Sequence, residues 1–413
     1  MKTAVPVRCL LIASIFPPIH GGSAVVYESL CRYVGAGSIF VLAPWRHYID
    51  GQAIAGWREY DAQAGYPVER IELLRPLMLD IPCSRLQSVW RTLTIDLPLK
   101  WRVLKTVAAL VRRERINVVC IGELTSGSWI GLAAQRLLGC RMINYIHGEE
   151  ITTETTYRFY GRQRHRYLAA ADAVVAVSEF TRAALTRLMG VPREKIELIP
   201  NGVDLERFSA GPRNAELLRR LGVRDGEKVI LTVGRLVPRK GMDMVLRALP
   251  AIRQSIPSVH YLIVGEGEYR PVLEGLMSEL GLRDCATLAG KLSHQDLLDL
   301  YRSCDVFAMP NREMPDGDTE GFGLVFLEAN ACGRAVIGGR AGGAVEAVRD
   351  GENGVLVDGN DPASIADAIL RILTDAELRE HLERRGLEIA LQSSCAERAR
   401  QFHALCARLV NQG

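Results

Sequence analysis

Two α/β domains in tandem, each a doubly wound parallel sheet, are what the length and patterning of this chain predict. Three observations carry that expectation. The 413 residues exceed what one hydrophobic core ordinarily organises and fit two units of roughly 200. Short apolar runs alternate with helical periodicity, as they do in sheets built from strand–helix–strand crossovers. Near the midpoint, Pro200-Asn201-Gly202-Val203-Asp204 carries strong turn chemistry, and the alternation restarts beyond it. The boundary is placed within residues 204–213, giving an N-terminal domain over 1–204, a second over 205–390 and a terminal helical segment over 391–413.

Composition narrows the class further. With 48% hydrophobic and 24% charged residues the chain reads as globular, and a net charge of +3 gives no bulk electrostatic reason for a nucleic-acid partner. The ten cysteines are scattered through apolar contexts with no CxxC pair, so they read as reduced packing thiols in a cytoplasmic setting. No run of eighteen apolar residues suggests a transmembrane helix. The apolar stretch 9–16 behind Lys2 and Arg8 is too short for a signal peptide and is broken by Pro17-Pro18, so it is assigned as a first buried strand.

In chain order, strands are expected at 8–13, 38–42, 68–73, 117–121, 141–145 and 173–177. Gly21-Gly22 opens a helix after the first strand and could cradle an anion; a tight turn with Ser23 as N-cap explains it equally well. Residues 85–115 are basic and carry Trp90 and Trp101. Within them Leu104, Val107, Ala108 and Val111 share one helical face, opposite Arg102, Lys105, Arg112 and Arg113. That pattern fits either a solvated surface helix or a peripheral contact with anionic lipid. His147-Gly148-Glu149-Glu150 follows a strand directly, which places it at the carboxyl edge where open parallel sheets bind ligands. Ser178-Glu179 follows the next strand, and N-capping alone accounts for that serine.

In the second half, strands are expected at 229–233, 260–264, 286–288, 306–309, 335–337 and 355–357. Gly234-Arg235-Leu236-Val237-Pro238-Arg239-Lys240-Gly241 puts an Arg fork and a Lys point charge after the first of these, with Arg239 read as solvated. Gly265 and Gly267 form only a GxG, since Arg270 stands where a dinucleotide fingerprint has its third glycine. Asp316-Gly317-Asp318 has the spacing of a metal-binding acid pair, but in this Pro/Gly turn it reads as loop chemistry. The stretch that organises the whole is Glu320-Gly321-Phe322-Gly323-Leu324-Val325-Phe326-Leu327-Glu328. A helix is expected from Phe322, with the two acids roughly 12 Å apart if the span is helical throughout. Its glycines and free N–H groups suit a pyrophosphate. Beyond Pro362 come one helix to Leu373, another from Ala376 and an amphipathic one over 395–409.

The Glu-x7-Glu stretch resembles the signature of the retaining glycosyltransferases of family four, which have the two-domain GT-B fold. The resemblance implies that Glu320 contacts donor-sugar hydroxyls, Glu328 the ribose, and Arg235 and Lys240 the donor diphosphate. It implies that His147 hydrogen-bonds the sugar near the reacting carbon and that the Gly21-Gly22 loop faces the cleft. Gly265 and Gly267 would line the nucleotide side, Lys291 and Leu292 would meet the base, and the amides of Phe322, Gly323 and Leu324 would add donors. Gly342-Gly343-Ala344-Val345-Glu346 matches a further family turn, although tight turning alone explains it. The final helix would cross back onto the first domain. The implied reaction transfers a hexose from a nucleotide diphosphate sugar without a metal or other cofactor, the leaving phosphate taking the acceptor's proton. Residues 309–323 resemble mannosyltransferases using GDP-mannose; UDP-sugars stay open, as does a sugar-nucleotide epimerase of related fold. A lipid-linked or cell-surface glycan is the expected acceptor, met at the inner face of the membrane.

Overall fold

The computed structural model describes residues 5–19, 21–77, 90–152 and 158–412; residues 85–89 of the basic stretch lie outside them. The N-terminal sheet contains β1 (Cys9–Ile12), β2 (Ile39–Pro44), β3 (Val68–Ile71), β4 (Val118–Ile121), β5 (Arg141–Ile146), β6 (Ala173–Ala176) and β7 (Ile196–Leu198). They pair in the order β3-β2-β1-β4-β5-β6-β7, every neighbour parallel. The second sheet contains β8 (Lys228–Val233), β9 (Val259–Val264), β10 (Ala286–Gly290), β11 (Val306–Met309), β12 (Val336–Gly339) and β13 (Gly354–Val357). Its order is β10-β9-β8-β11-β12-β13, again all parallel.

Parallel sheets covered on both faces need apolar side chains at successive positions, and the central strands read that way. Cys9, Leu11, Cys120, Tyr145 and Val175 point into one cluster, with Tyr27 and Leu30 of α1 (Gly22–Val34). Leu10, Ile12, Val119 and Ile121 point into another, capped by α2 (Leu97–Arg113). Strand order reverses between β1 and β4 and again between β8 and β11. Crevices open at the carboxyl ends of strands where the order reverses. The loops after β1 and β5 on one side, and after β8, β9 and β11 on the other, therefore hold most of the residues singled out above, with Ser178-Glu179 after β6, Lys291-Leu292 after β10 and Gly342-Gly343 after β12.

The chain crosses between the sheets at two adjacent places. Val203 N–H donates to Ser393 O at 2.8 Å, and Cys395 N–H donates back to Val203 O at 3.0 Å. The last helix, Cys395–Asn411, lies against α1 and stacks Phe402 beside Tyr145, ring centroids 6.2 Å apart. Arg408 ion-pairs with Glu197 of β7 at 2.5 Å.

Several local expectations are corrected. β7 escaped the sequence reading: it is three residues long with a charged residue at its centre, so it offers no apolar run. α2 buries Val103, Val107, Leu110 and Val111, leaving Leu104 and Ala108 half-buried; its apolar face is turned by about one residue from the one assigned. α1 begins at Gly22 with Gly21 as N-cap and no side-chain cap, so Ser23 lies inside the helix. All nine described cysteines are free and buried.

Candidate active site

The second sheet supplies charged groups. Gly265, at φ +139°, lies so close to the preceding loop that a Cβ there would sit 1.9 Å from Gly234 O; one on Gly267 would sit 2.3 Å from Leu236 O. These glycines are required by the chain itself, because they let the β9 loop rest against the β8 loop. The β8 loop then presents Arg235 outward, exposed and without a hydrogen bond or ion pair among the described residues. Lys240 ends the short turn Pro238–Lys240 and reaches Glu320, Nζ to Oε2 2.5 Å, both side chains nearly covered. Arg239, read as solvated, is instead enclosed and bound to Asp318 at 2.6 Å, with Glu149 of the other sheet at 3.9 Å. Asp318 is thereby committed to a guanidinium, and its own N–H donates to Asp316 Oδ1.

The expected helix from Phe322 starts two residues later. Gly323 is its N-cap in the left-handed region at φ +89°, and α3 runs over Leu324–Ala331. A Cβ on Gly323 would lie 2.6 Å from the Phe326 ring. Glu320 and Phe322 thus belong to a loop, so the estimate of separation by helical rise does not apply. Phe322 N–H turns inward onto the Glu320 carboxylate. Burial pushes the Glu320 pKa up, but Lys240 and Arg239 outweigh it and hold the group below the usual carboxylate range. Glu328 behaves oppositely: burial raises its pKa, although Tyr301 donates its hydroxyl to Oε2 at 2.7 Å.

The N-terminal sheet supplies groups kept neutral. Tyr27 has one hydroxyl proton, donated to Gly122 O at 2.6 Å, a carbonyl that can only accept. His147 Nε2, 2.8 Å from that hydroxyl, must therefore carry its proton and donate, leaving Nδ1 with a lone pair. Burial depresses the His147 pKa to about 4, so the ring is an uncharged hydrogen-bond acceptor at neutral pH. Glu150 accepts from Gly148 N–H at 3.0 Å and His147 N–H at 3.4 Å, and burial lifts its pKa to about 7.

The two sets meet at a backbone contact. A Cβ on Gly321 would lie 2.1 Å from His147 O, and one on Gly317 would lie 2.5 Å from Thr152 O. His147 is thus set beside the Lys240–Glu320 pair. Gly21, Gly22, Lys291 and Leu292 stand apart: among the described residues none hydrogen-bonds or ion-pairs with this cluster. Gly21 and Gly22 are exposed, and a Cβ on either would have room, so the chain itself does not require glycine there. Lys291 is exposed after β10 and acts electrostatically on His294. Sequence reasoning missed Tyr27 and Tyr301 as parts of the site, and gave Glu150 no role of its own. Glu150 stood within the His147-Gly148-Glu149-Glu150 stretch; the tyrosines lie on helix faces with no local signature.

Profiles described as "Glycosyl transferases group 1" and "Glycosyltransferase Family 4" match residues 214–388 and 60–207. The chain is 33% identical over 379 residues, 89% of each protein, to a GDP-mannose-dependent alpha-(1-6)-phosphatidylinositol monomannoside mannosyltransferase of Mycolicibacterium smegmatis. It is 29% identical over 372 residues, 89% of each, to a monoacylated-acceptor counterpart from Corynebacterium glutamicum. The chain belongs to glycosyltransferase family four and is a hexosyltransferase of the GT-B fold. That fold is shared with Anabaena HepE in complex with UDP and glucose, TM-score 0.75 at 22% identity over 97% and 99% of the chains. It is shared too with sucrose-phosphate synthase from Thermosynechococcus elongatus, TM-score 0.76 at 23% identity over 98% and 100%.

The raised Glu150 pKa has a stability consequence of definite sign. The folded protein holds that proton more tightly than the unfolded chain does. The group's relative contribution is therefore fully present below the ordinary Glu value near 4.5 and is lost as pH rises through about 7. Glu150→Gln should match wild type below about pH 4 and gain on it up to about pH 8, by roughly 3 kcal/mol. Paired denaturant melts across this range test it; a difference between the two proteins that does not change with pH would refute the assignment.

Proposed function

We propose that this chain transfers mannose from GDP-mannose, with retention, to a hydroxyl of a lipid-linked glycan of the phosphatidylinositol mannoside class. The observation that carries the reading is the close approach of Gly321 to His147 O, which sets a neutral histidine beside the Lys240–Glu320 pair. The relatives named above supply the substrate class. Residues 205–390 act as the donor domain in this reading, residues 1–204 as the acceptor side, and 391–413 as the strap returning to it.

Arg235, without a partner among the described residues, and Lys240 would neutralise the departing diphosphate as its charge grows. Glu320, held ionised, accepts hydrogen bonds from sugar hydroxyls, and His147 offers Nδ1 as a second acceptor. Glu328, with one oxygen engaged by Tyr301, keeps the other for the ribose. A cavity of about 230 Å³ lined by Arg207, Phe208, His294 and Leu298 adjoins the Lys291-Leu292 segment and suits the base. In the reaction the bond from the anomeric carbon to the phosphate oxygen breaks. The acceptor oxygen bonds to that carbon on the same face, and its proton passes to the leaving phosphate. In this reading Arg235 and Lys240 rather than a metal serve the diphosphate; the engagement of Asp318 by Arg239 supports it.

At the membrane side, Trp90, Leu93, Ile95, Leu97 and Trp101 are exposed on consecutive turns, flanked by Lys100, Arg102 and Lys105. Lys105 Nζ lies 3.3 Å over the Trp101 ring. Exposed aromatic and aliphatic side chains among cations fit an anionic lipid surface, where the acceptor would reside. No described helix is long and apolar enough to cross a membrane.

Lys240→Ala and Glu320→Ala should each lower transfer turnover by about 10²-fold or more with the fold intact, and EDTA should leave wild-type turnover unchanged. Near-normal transfer by either variant would remove the assignment. In a thermal-shift screen GDP and GDP-mannose should raise the melting temperature while UDP and UDP-glucose do not; the reverse preference would reassign the donor. Sedimentation with phosphatidylinositol-containing vesicles should weaken in Trp90→Ala/Trp101→Ala. Equal binding to uncharged phosphatidylcholine vesicles would rule the contact out.

A further inference from the structure

The turn Gly342-Gly343 and the short helix Ala344–Ala347 after it are not used by the chemistry above, yet they touch both sheets. Glu346 Oε2 accepts from Glu179 N–H at 2.7 Å and Oε1 accepts from Phe180 N–H at 2.8 Å. Those are the first two amides of the helix Glu179–Met189, which belongs to the N-terminal sheet. The third, Thr181 N–H, is already capped by Ser178 Oγ at 3.0 Å. A carboxylate placed there receives two charge-assisted hydrogen bonds and the positive end of the helix dipole. Among the described residues the Glu346 carboxylate has no cationic partner and accepts no hydrogen bond from its own domain, where only the backbone is engaged, Glu346 N–H donating to Gly343 O at 3.1 Å. Its charge is satisfied entirely by the opposing one.

The same turn grips the donor side. Gly343 N–H donates to Glu320 O at 2.7 Å. A Cβ on Gly342 would lie 2.3 Å from Glu320 O; one on Gly343 would lie 2.0 Å from Gly321 O and 3.1 Å from Ser178 Oγ. One turn is therefore fixed to the backbone of Glu320-Gly321 and, through Glu346, to the helix facing it. The chain crossings at Val203 and Ser393 are covalent, whereas these contacts can separate in water and re-form. The Arg239–Glu149 pair at 3.9 Å, with Glu149 largely exposed, is a weaker accompaniment.

We propose that Glu346 is a reversible latch: by capping the helix Glu179–Met189 it holds the two domains together and sets Glu320 against His147. It is a positioning residue, and its effect on transfer rests on the reading of that cleft as the donor site. Breaking the latch should populate an open form in which the Lys240–Glu320 pair is intact but misplaced relative to His147.

The test uses the full chain with Glu346→Gln and Glu346→Ala, each checked for an unaltered far-ultraviolet circular dichroism spectrum. Hydrogen exchange is followed in peptides covering 178–190. Glu346→Ala should take up about two additional deuterons there at short times, with strand peptides unchanged, and nucleotide-free small-angle scattering should give a larger radius of gyration. Transfer kcat should fall about tenfold in Glu346→Gln, and hydrolysis of GDP-mannose should rise relative to transfer. Wild-type exchange at 178–190 together with wild-type dimensions would overturn the latch. Opening without any change in kcat or in the hydrolysis ratio would overturn its positioning role. Should wild type neither bind nor turn over a nucleotide sugar, the donor-site reading fails, while exchange and scattering still decide the latch.

Discussion

Everything at the cleft depends on backbone meeting backbone where a side chain would not fit. Gly321 lies against the carbonyl of His147, Gly343 against the carbonyl of Gly321, and Gly317 against Thr152 O. A Cβ at any of the three would fall within 2.5 Å of a carbonyl oxygen, and backbone on both sides cannot yield as a flexible side chain can. Gly321 and Gly317 fix how near the sheets come, and hence whether groups from opposite sheets can act on one small molecule, while Gly343 braces the Gly321 loop from its own side. Main-chain contact also gives little room for sliding, so the register of one loop on the other is set sterically. The charged contacts, Glu346 on the opposing helix among them, then hold the sheets at that closest approach.

Within that frame, charge is segregated. The second sheet contributes Arg235, Arg239, Lys240 and an ionised Glu320; the first contributes a neutral imidazole and a Glu150 whose burial draws its pKa towards neutrality. The cause is local solvation. Glu320 is just as enclosed as Glu150, but two cations stand beside it, whereas Glu150 has backbone amides and the like charge of Glu149. A site divided in this way can hold an anionic leaving group on one side and an uncharged, hydroxyl-rich ring on the other. The proton position on His147 follows from a tyrosine with one proton and a carbonyl with none, so the first sheet's part is set by hydrogen-bond counting as much as by charge.

Much of the fold was legible because buried parallel strands must be apolar along their length. Most of the strands announce themselves this way, edge strand β3 with Glu69 and Arg70 at its centre being an exception, and Pro200-Asn201-Gly202 marks the turn between the sheets. The three-residue β7 did not: at a sheet edge it can afford Glu197, which ion-pairs with Arg408 more than two hundred positions away. The start of α3 was misjudged because helical spacing of Leu324, Leu327 and Ala331 says where a face lies, not where the first turn closes. That was decided by Gly323 taking a positive φ under the Phe326 ring. Arg239 looked like a solvated loop residue for a similar reason, since its partner Asp318 belongs to a turn seventy-nine positions on.

Sequence by itself determined the two-sheet plan, the family and the chemical types at Arg235, Lys240, Glu320 and Glu328, because periodicity, turn chemistry and motif spacing are local properties of the chain. Tertiary structure alone decided that Lys240 pairs with Glu320, that Tyr27 fixes the tautomer of His147, and that Glu346 reaches the opposite helix. Those are distances between residues far apart in the chain. They are set by how two sheets approach through glycine contacts, and no spacing along one strand or helix encodes them.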